Sequence, residues 1–369
     1  VLILTDGYNI HHLSGYRGHT GMLVAFQGEQ YILTDSRYTE QVELEAPEFT
    51  CVDIGREGYS KTIAAMVQKA FAKEGRSTLR IGFENKEISY MQYQAFVDTF
   101  AKELTGMQVE FVPLEDAVNV YREVKTEDEI AKLARAEQIG DEAFTEIVKF
   151  IHENWKDGLT EQRVALQLEY EMRLRGAEGT SFDTIAASGS NSSLPHAMPQ
   201  PKLLTEGDFL TMDFGCMYQG YCSDMTRTIH IGEVVESEQK KVYDTVLQAQ
   251  LAALSVVKPG MVCSDVDKCA RDIIADAGYG DYFGHGLGHS VGLFIHEEPR
   301  FSMKCDAVLK PGVVITVEPG IYLPGRFGTF VPSDKAILNA TLCFSPNDNL
   351  SKCSISHCIS KLVRQSSST

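Results

Sequence analysis

Along the first 120 residues, the spacing of apolar positions switches repeatedly between two periods. VLILT, GMLVAF, QYILT, FTCVDI, LRIGFE and QVEFVPL are short runs rich in β-branched and aromatic residues, and each predicts a strand. GMLVAF and QYILT read as a hairpin across Gln27-Gly28-Glu29. GYSKTIAAMVQKAFAKEG and SYMQYQAFVDTFAKEL place apolar residues three and four apart and predict helices. The alternation predicts a compact α/β unit over residues 1–121 without a catalytic cluster. His11, His12 and His19 fall in a Gly-rich stretch and read as solvated loop residues.

The pattern changes after Arg122-Glu123-Val124-Lys125. Thr126 and Glu129 form a capping box opening the long helix TEDEIAKLARAEQIGDEAFTEIVKFIHENW, and Thr160 opens a second that ends at Gly176. SFDTIAASGSNSSLPHAMPQ is polar, and on the residues alone its His196 is an exposed loop histidine. In the next stretch Leu210, Met212 and Phe214 alternate with Thr211 and Asp213, and a turn at Met217–Gly220 precedes a second strand carrying Asp224. Folded as a hairpin, the two arms bring both carboxylates to one end. Carboxylates in apolar strands are costly unless a cation or hydrogen bonds compensate them. For either residue alone, a capped or loop aspartate is the alternative. Two more helices follow: SEQKKVYDTVLQAQLAALSVV, and SDVDKCARDIIADAG capped by Ser264 with Asp267.

Composition narrows the function. The chain has 369 residues, 43% of them hydrophobic, enough for a large core and two domains. A net charge of −17 with no basic cluster argues against nucleic acid or an anionic membrane as partner. No apolar stretch is long enough to span a membrane. Nine scattered cysteines without a CxxC indicate neither a zinc ribbon nor a redox motif, and they suit a reducing cytoplasm.

The chemistry gathers late in the chain. FGHGLGHSVGLFIHEEP holds His285, His289 and His296, and its interleaved glycines let backbone pass close to a ligand. VVITVEPGIY then ends an apolar run on Glu318. Asp213, Asp224, His289 and Glu318 form an oxygen-rich set with one nitrogen, which suits Mn²⁺, Co²⁺ or Zn²⁺ at a hydrolytic site.

The order MDFG, YCSDMTRT, HGLGH, a histidine seven residues on, then VEPGIY resembles the pita-bread metallopeptidases. Within them the chain is most similar to Xaa-Pro aminopeptidases and prolidase-like Xaa-Pro dipeptidases, over residues 1 to about 328. The resemblance implies a creatinase-type α/β N-terminal domain at 1–121. After it comes an α+β pita-bread catalytic domain at 122–328, with helices outside a curved antiparallel sheet. It further implies two divalent cations, Mn²⁺ first with Co²⁺ or Zn²⁺ as alternatives, held by Asp213, Asp224, His289 and Glu318. Asp224 is then the bridging ligand, and Thr226 orients it. His196 lines the substrate pocket, His285 contacts substrate or leaving group, and His296 steadies the oxyanion. Glu297 and Glu298 read as structural or solvated. The expected partners are Xaa-Pro peptides and a second copy of the chain in a homodimer. A catalytically silent pita-bread module that binds peptide or protein is the alternative function. A metal-free creatinase-like hydrolase fits poorly, because the acidic set is retained.

One departure stands out. The family places a further bridging Glu in an RIED-like strand shortly after EPGIY, whereas here Thr329 to Ser333 read TFVPS. No Asp or Glu follows Glu318 until Asp334. Residues 329–369 therefore read as an aberrant tail without strand-turn logic. Thr-Phe-Val-Pro-Ser can be back-translated so that a shifted frame encodes Val-Arg-Thr-Glu, so a frameshift near Thr329 is the expected cause, with a genuine family member that has shed its bridging Glu as the alternative. Weak or mononuclear metal binding and impaired activity are the expected consequence.

Overall fold

The computed structural model describes residues 1–71, 77–233 and 236–330, together with the backbone at 342–343 and 353–354. The chain divides into two units, Val1–Arg122 and Glu123–Thr369.

In the first unit the predicted strands appear as β1 (Leu2–Leu4), β2 (Met22–Phe26), β3 (Glu29–Thr34), β4 (Thr50–Asp53), β5 (Thr78–Phe83) and β6 (Gln108–Pro113). They form one sheet in the order β4-β3-β2-β1-β5-β6. Alternate side chains serve opposite faces. Ile3, Val24 and Leu33 join α3 (Gly58–Phe71) and α4 (Tyr90–Glu103) in one cluster. Leu4, Leu23 and Ile32 join α1 (Gly7–Ser14) and α2 (Thr39–Glu45) in the other. The β2–β3 loop is one residue tighter than expected, because Phe26 already pairs with Glu29. Gln27 and Gly28 take φ of 55° and 82°, the two left-handed residues of a right-twisted hairpin turn. His11 and His12 correct the loop expectation, since they lie on α1. Asp6 caps that helix by accepting from Tyr8 N at 2.9 Å, and Gly15 closes it at φ 83°. A short α5 (Asn119–Arg122) ends the unit.

The second unit opens with α6 (Glu127–Asn154), capped reciprocally by Thr126 and Glu129, and α7 (Glu161–Leu174), capped by Thr160. Their buried stripes, Ala136, Ile139, Ala143 and Ile147 with Val164, Leu168 and Met172, pack on Leu210, Met212 and Phe214. The strands beneath are β7 (Gly179–Thr180), β8 (Ile185–Ser188), β9 (Phe209–Phe214), β10 (Cys216–Tyr218), β11 (Tyr221–Cys222) and β12 (Met225–His230). The hairpin is broken midway: β9 and β12 pair beside β8, while β10 and β11 pair beside β7. The break falls at Gly215, where a Cβ would lie 2.0 Å from the Ser223 carbonyl oxygen. Asp224 therefore sits between β11 and β12 rather than on a strand.

A second helix pair repeats the plan. α8 (Ser237–Val256) and α9 (Cys263–Asp276) pack on Phe301, Val313, Ile315 and Ile321. The Ser264 cap is not formed. α9 starts one residue earlier with Val262 as its N-cap, and Asp267 is wholly buried for another purpose. Below these helices run β13 (Gly288–Ser290), β14 (Glu297–Phe301), β15 (Val314–Ile315), β16 (Gly320–Leu323) and β17 (Phe327–Phe330). Thr329 and Phe330 pair with Ile321 and Gly320, so the β16–β17 ladder continues two residues past the expected break at Gly328. Two short pairings, β18 (Leu342–Cys343) and β19 (Cys353–Ser354), extend the β13–β15 sheet where the sequence gives no strand signal. The rest of the expected aberrant tail, including positions 331–333 of the missing motif, lies outside the described residues.

Candidate metal centre

A cavity of about 1230 Å³ opens within the second unit, and all seven proposed ligand and pocket residues border it: Asp213, Asp224, His289 and Glu318 with His196, His285 and His296. Each half of the unit delivers two of the ligand candidates. β9 carries Asp213, and the β11–β12 junction carries Asp224, whose backbone N–H donates to Glu137 Oε1 at 3.2 Å. β13 carries His289, and Glu318 follows β15 by three residues.

Asp224, His289 and Glu318 converge, each offering a ligand atom within 4.8 Å of the others. His289 Nε2 lies 3.2 Å from Asp224 Oδ2 and 3.3 Å from Glu318 Oε1. The His289 Nδ1–H donates to the Ser290 carbonyl at 3.1 Å, which turns Nε2 toward the carboxylates. Thr316 ties two of these residues together. Its hydroxyl accepts from His289 N at 2.9 Å and donates to Glu318 Oε1 at 3.0 Å.

The electrostatics are those of crowded buried acids. Burial, then repulsion from Asp224 and Glu318, holds the Asp213 carboxyl well above its usual range, against a smaller opposing pull from the Thr226 hydroxyl. Burial and Asp224 likewise push Glu318 up to about 7. Burial alone would lower His289, but the Asp224 and Glu318 carboxylates outweigh it and raise the imidazole to about 9. A proton on His289 thus stands where a cation would balance the same charges. Asp213 Oδ1 is buried without a hydrogen-bond partner of good geometry. Two carboxylates, an imidazole and that unsatisfied oxygen fit a divalent cation of the Mn²⁺, Co²⁺ or Zn²⁺ type.

Thr226 is placed differently from the expectation. It pairs in register with Asp213 across β9–β12, so its hydroxyl faces Asp213 rather than Asp224. His285 is kept neutral by burial; its Nδ1–H donates to Gly286 O at 2.7 Å, and its Nε2 accepts from the Tyr322 hydroxyl at 3.1 Å. His296 packs edge-on to His289 with ring centroids 4.5 Å apart, and burial and that neighbour lower its pKa. His196 is exposed on the turn after Leu194 and faces the cavity. Glu297 is buried and paired with Lys125 at 3.0 Å, a structural role, whereas Glu298 is exposed beside Arg300.

Sequence reasoning missed three supports. Tyr322, within the VEPGIY run, bonds His285 and borders the cavity. Arg271 clamps the histidine loop. It pairs in bidentate fashion with Asp267 at 2.8 and 2.9 Å, and donates to the Phe283 and His285 carbonyls at 2.9 and 2.7 Å. Asp267 also accepts from Leu287 N at 2.9 Å. An i, i+4 pair on a helix usually reads as surface decoration, so only the fold shows what it holds. Glu161, fully buried, accepts from Ser188 N, Asn191 Nδ2 and Gln200 N and shapes the turn bearing His196.

Comparisons with known proteins agree with this geometry. Residues 131–337 match Metallopeptidase family M24, and residues 1–124 match the Creatinase/Prolidase N-terminal domain. A Pyrococcus furiosus Xaa-Pro dipeptidase is 43% identical over 249 residues, covering 68% of each chain. An uncharacterized peptidase of Bacillus subtilis is 37% identical and covers 94% of each. Among solved structures, an Xaa-Pro dipeptidase from Bacillus anthracis superposes with a TM-score of 0.79 at 38% identity, covering 89% of this chain and 88% of its own. An X-Pro aminopeptidase from Thermotoga maritima gives 0.78 at 36%, covering 90% and 91%. The twofold helix-pair plan over curved strands is the pita-bread fold of these relatives. With a creatinase-type domain ahead of that fold, the chain belongs to metallopeptidase family M24.

Proposed function

We propose that this chain is a metal-dependent exopeptidase directed at Xaa-Pro bonds, with Asp213, Asp224, His289 and Glu318 as the cation ligands. One observation carries the proposal: donors from two separate halves of the fold converge within 4.8 Å on the wall of a large cavity. The names borne by the relatives, Xaa-Pro dipeptidase and X-Pro aminopeptidase, support the substrate class. A divalent cation bound there supplies Lewis-acid polarisation of a scissile carbonyl and an acidic water near neutral pH. The protein's residues do the rest. His289 presents Nε2 because its other nitrogen is committed to Ser290 O. His296, neutral and beside His289, donates a hydrogen bond to the developing oxyanion. His285, with its Nε2 held by Tyr322, and His196 both line the cavity that would take the substrate. A proline nitrogen carries no hydrogen, so nothing in this constellation has to accept a bond from it.

The absence of any Asp or Glu between Glu318 and Asp334 supports a second element of the reading. The chain as written binds one cation weakly rather than two tightly, and works slowly. The same absence favours a peptide-binding module without catalysis as the competing function. Homodimerisation, cytoplasmic residence and Mn²⁺ as the working cation complete the proposal. Cys51, Cys216, Cys263, Cys269 and Cys305 are in no disulfide, which accords with a reducing compartment.

The test is metal analysis after dialysis against Mn²⁺, with release of the first residue from an Xaa-Pro peptide. It is run beside a version bearing Thr329→Val, Phe330→Arg, Val331→Ile, Pro332→Glu and Ser333→Asp. One equivalent or fewer in the chain as written, with activity gained on restoration, supports the reading. Two tightly held equivalents would overturn the loss, and no activity in either protein would favour the binder. Sequencing the gene across Phe327 to Ser333 decides whether the reading frame is intact.

A further inference from the structure

The apolar stripe of α8 is interrupted by an amide. Val242, Val246, Ala249 and Ala253 pack into the core of the second half, and Gln250 lies on the same face at 1% exposure. Its Nε2 donates to the Val317 carbonyl at 3.0 Å, while its Oε1 is buried and finds no hydrogen-bond partner among the described residues. A buried amide with one end unmet is unfavourable, and a methionine or leucine would fill the same space without that cost. Packing therefore does not account for glutamine at this position.

What the amide holds does account for it. The Val317 carbonyl belongs to the planar peptide unit that ends in the Glu318 N–H. That N–H donates to the Leu287 carbonyl at 2.8 Å, and Leu287 N in turn donates to Asp267 Oδ1 at 2.9 Å. One peptide plane is thus gripped at both edges, by α8 on one side and by the histidine loop on the other. Pro319 comes next and confines Glu318 to extended backbone. With the plane and the backbone region set, the direction of the Glu318 Cα–Cβ bond is set. The Thr316 hydroxyl then steadies the carboxylate at 3.0 Å. Strand pairing does not do this at Glu318, because β15 ends at Ile315.

We propose that Gln250 is a positioning residue for Glu318, acting through the Val317–Glu318 peptide, and that its amide serves cation affinity rather than stability. The inference rests on Glu318 as a cation ligand. The full-length, metal-stripped protein is compared with Gln250→Met by Mn²⁺ titration calorimetry, by the visible absorption of bound Co²⁺, and by guanidinium unfolding without metal. Gln250→Met should weaken Mn²⁺ binding about tenfold and shift the Co²⁺ bands. Its unfolding midpoint should equal or exceed the parent's, since the unmet Oε1 is gone. Gln250→Leu should behave alike. In a Glu318→Gln background, Gln250→Met should add no further loss, because both changes act at one ligand. Unchanged Mn²⁺ affinity, or a loss that persists in full in that background, overturns the positioning role and leaves the metal centre intact. Affinity that falls only together with the unfolding midpoint, in both Gln250→Met and Gln250→Leu, overturns it as well. A parent chain that takes up no divalent cation overturns the metal centre and this inference together.

Discussion

The two halves of the catalytic unit use one plan, a helix pair above curved strands, yet hold their ligand candidates by different means. In the first half, Asp213 sits in an unbroken ladder, with Ile185 on one side and Thr226 on the other. In the second half the register slips between His289 and Ser290, and β15 is two residues long. Side chains take over there. Arg271 and Asp267 fasten the loop from Phe283 to Leu287, and Thr316 fastens His289 to Glu318. Backbone ladders tolerate the loss of a neighbouring side chain, while a clamp built from a few buried polar groups does not. The second half is therefore the more fragile, although each half supplies two of the four ligand candidates.

Removing a converging ligand should have the largest effect and should be equal in either half. Asp224→Asn and Glu318→Gln are each expected to weaken Mn²⁺ binding by about 100-fold or more, measured by titration calorimetry. Unequal losses would show that one half dominates. Next comes the clamp. Asp267→Ala strips a buried partner from Arg271 and should cost about 3 kcal/mol in denaturant unfolding. Thr316→Val, which disconnects His289 from Glu318, should weaken Mn²⁺ binding about tenfold while leaving the fold nearly as stable. Thr226→Val in the ladder half should cost about 1 kcal/mol or less, because strand pairing already places Asp213. If Thr226→Val hurts more than Asp267→Ala, the contrast between ladder and clamp fails.

The protonation of the cluster gives a smaller effect with a definite sign. Glu318, raised to about 7, favours the metal-free fold fully below its unfolded range near 4.5, and that contribution fades as pH climbs to 7. His289, raised to about 9, contributes fully below about 6.5 and loses its contribution as pH passes 9. Metal-free protein should therefore melt at lower temperature at pH 9 than at pH 5. Added Mn²⁺ needs both groups deprotonated, so it should raise the melting temperature more at pH 8 than at pH 6. Thermal scans with and without chelator check both signs.

Much of this was legible in the chain. Period and capping gave the strands of the first unit and the long α6, because Thr126 and Glu129 write their own helix start. Family motifs pointed to Asp213, Asp224, His289 and Glu318 before any geometry. The misses share a cause: they depend on contacts between distant segments. Asp267 looks like a cap because it follows a serine, yet its carboxylate is drawn inward by Arg271 and by the backbone of Leu287. The family resemblance pairs Thr226 with Asp224, while strand register gives it to Asp213. The α1 cap at Asp6 is hidden in the same way, because the nearby histidines and glycines read as loop.

The last well-paired strand joins parts of the site that lie far apart in the chain. At Gly328 the β17 carbonyl accepts from the Thr211 hydroxyl on β9 and the N–H donates to Ser192 Oγ, and a Cβ there would lie 2.2 Å from the Ser192 carbonyl oxygen. Gly328 thus works as a seam, stitching the aspartate-bearing sheet to the turn that leads to His196. A change confined to residues beyond this stitch would leave both hydrogen bonds of the seam in place.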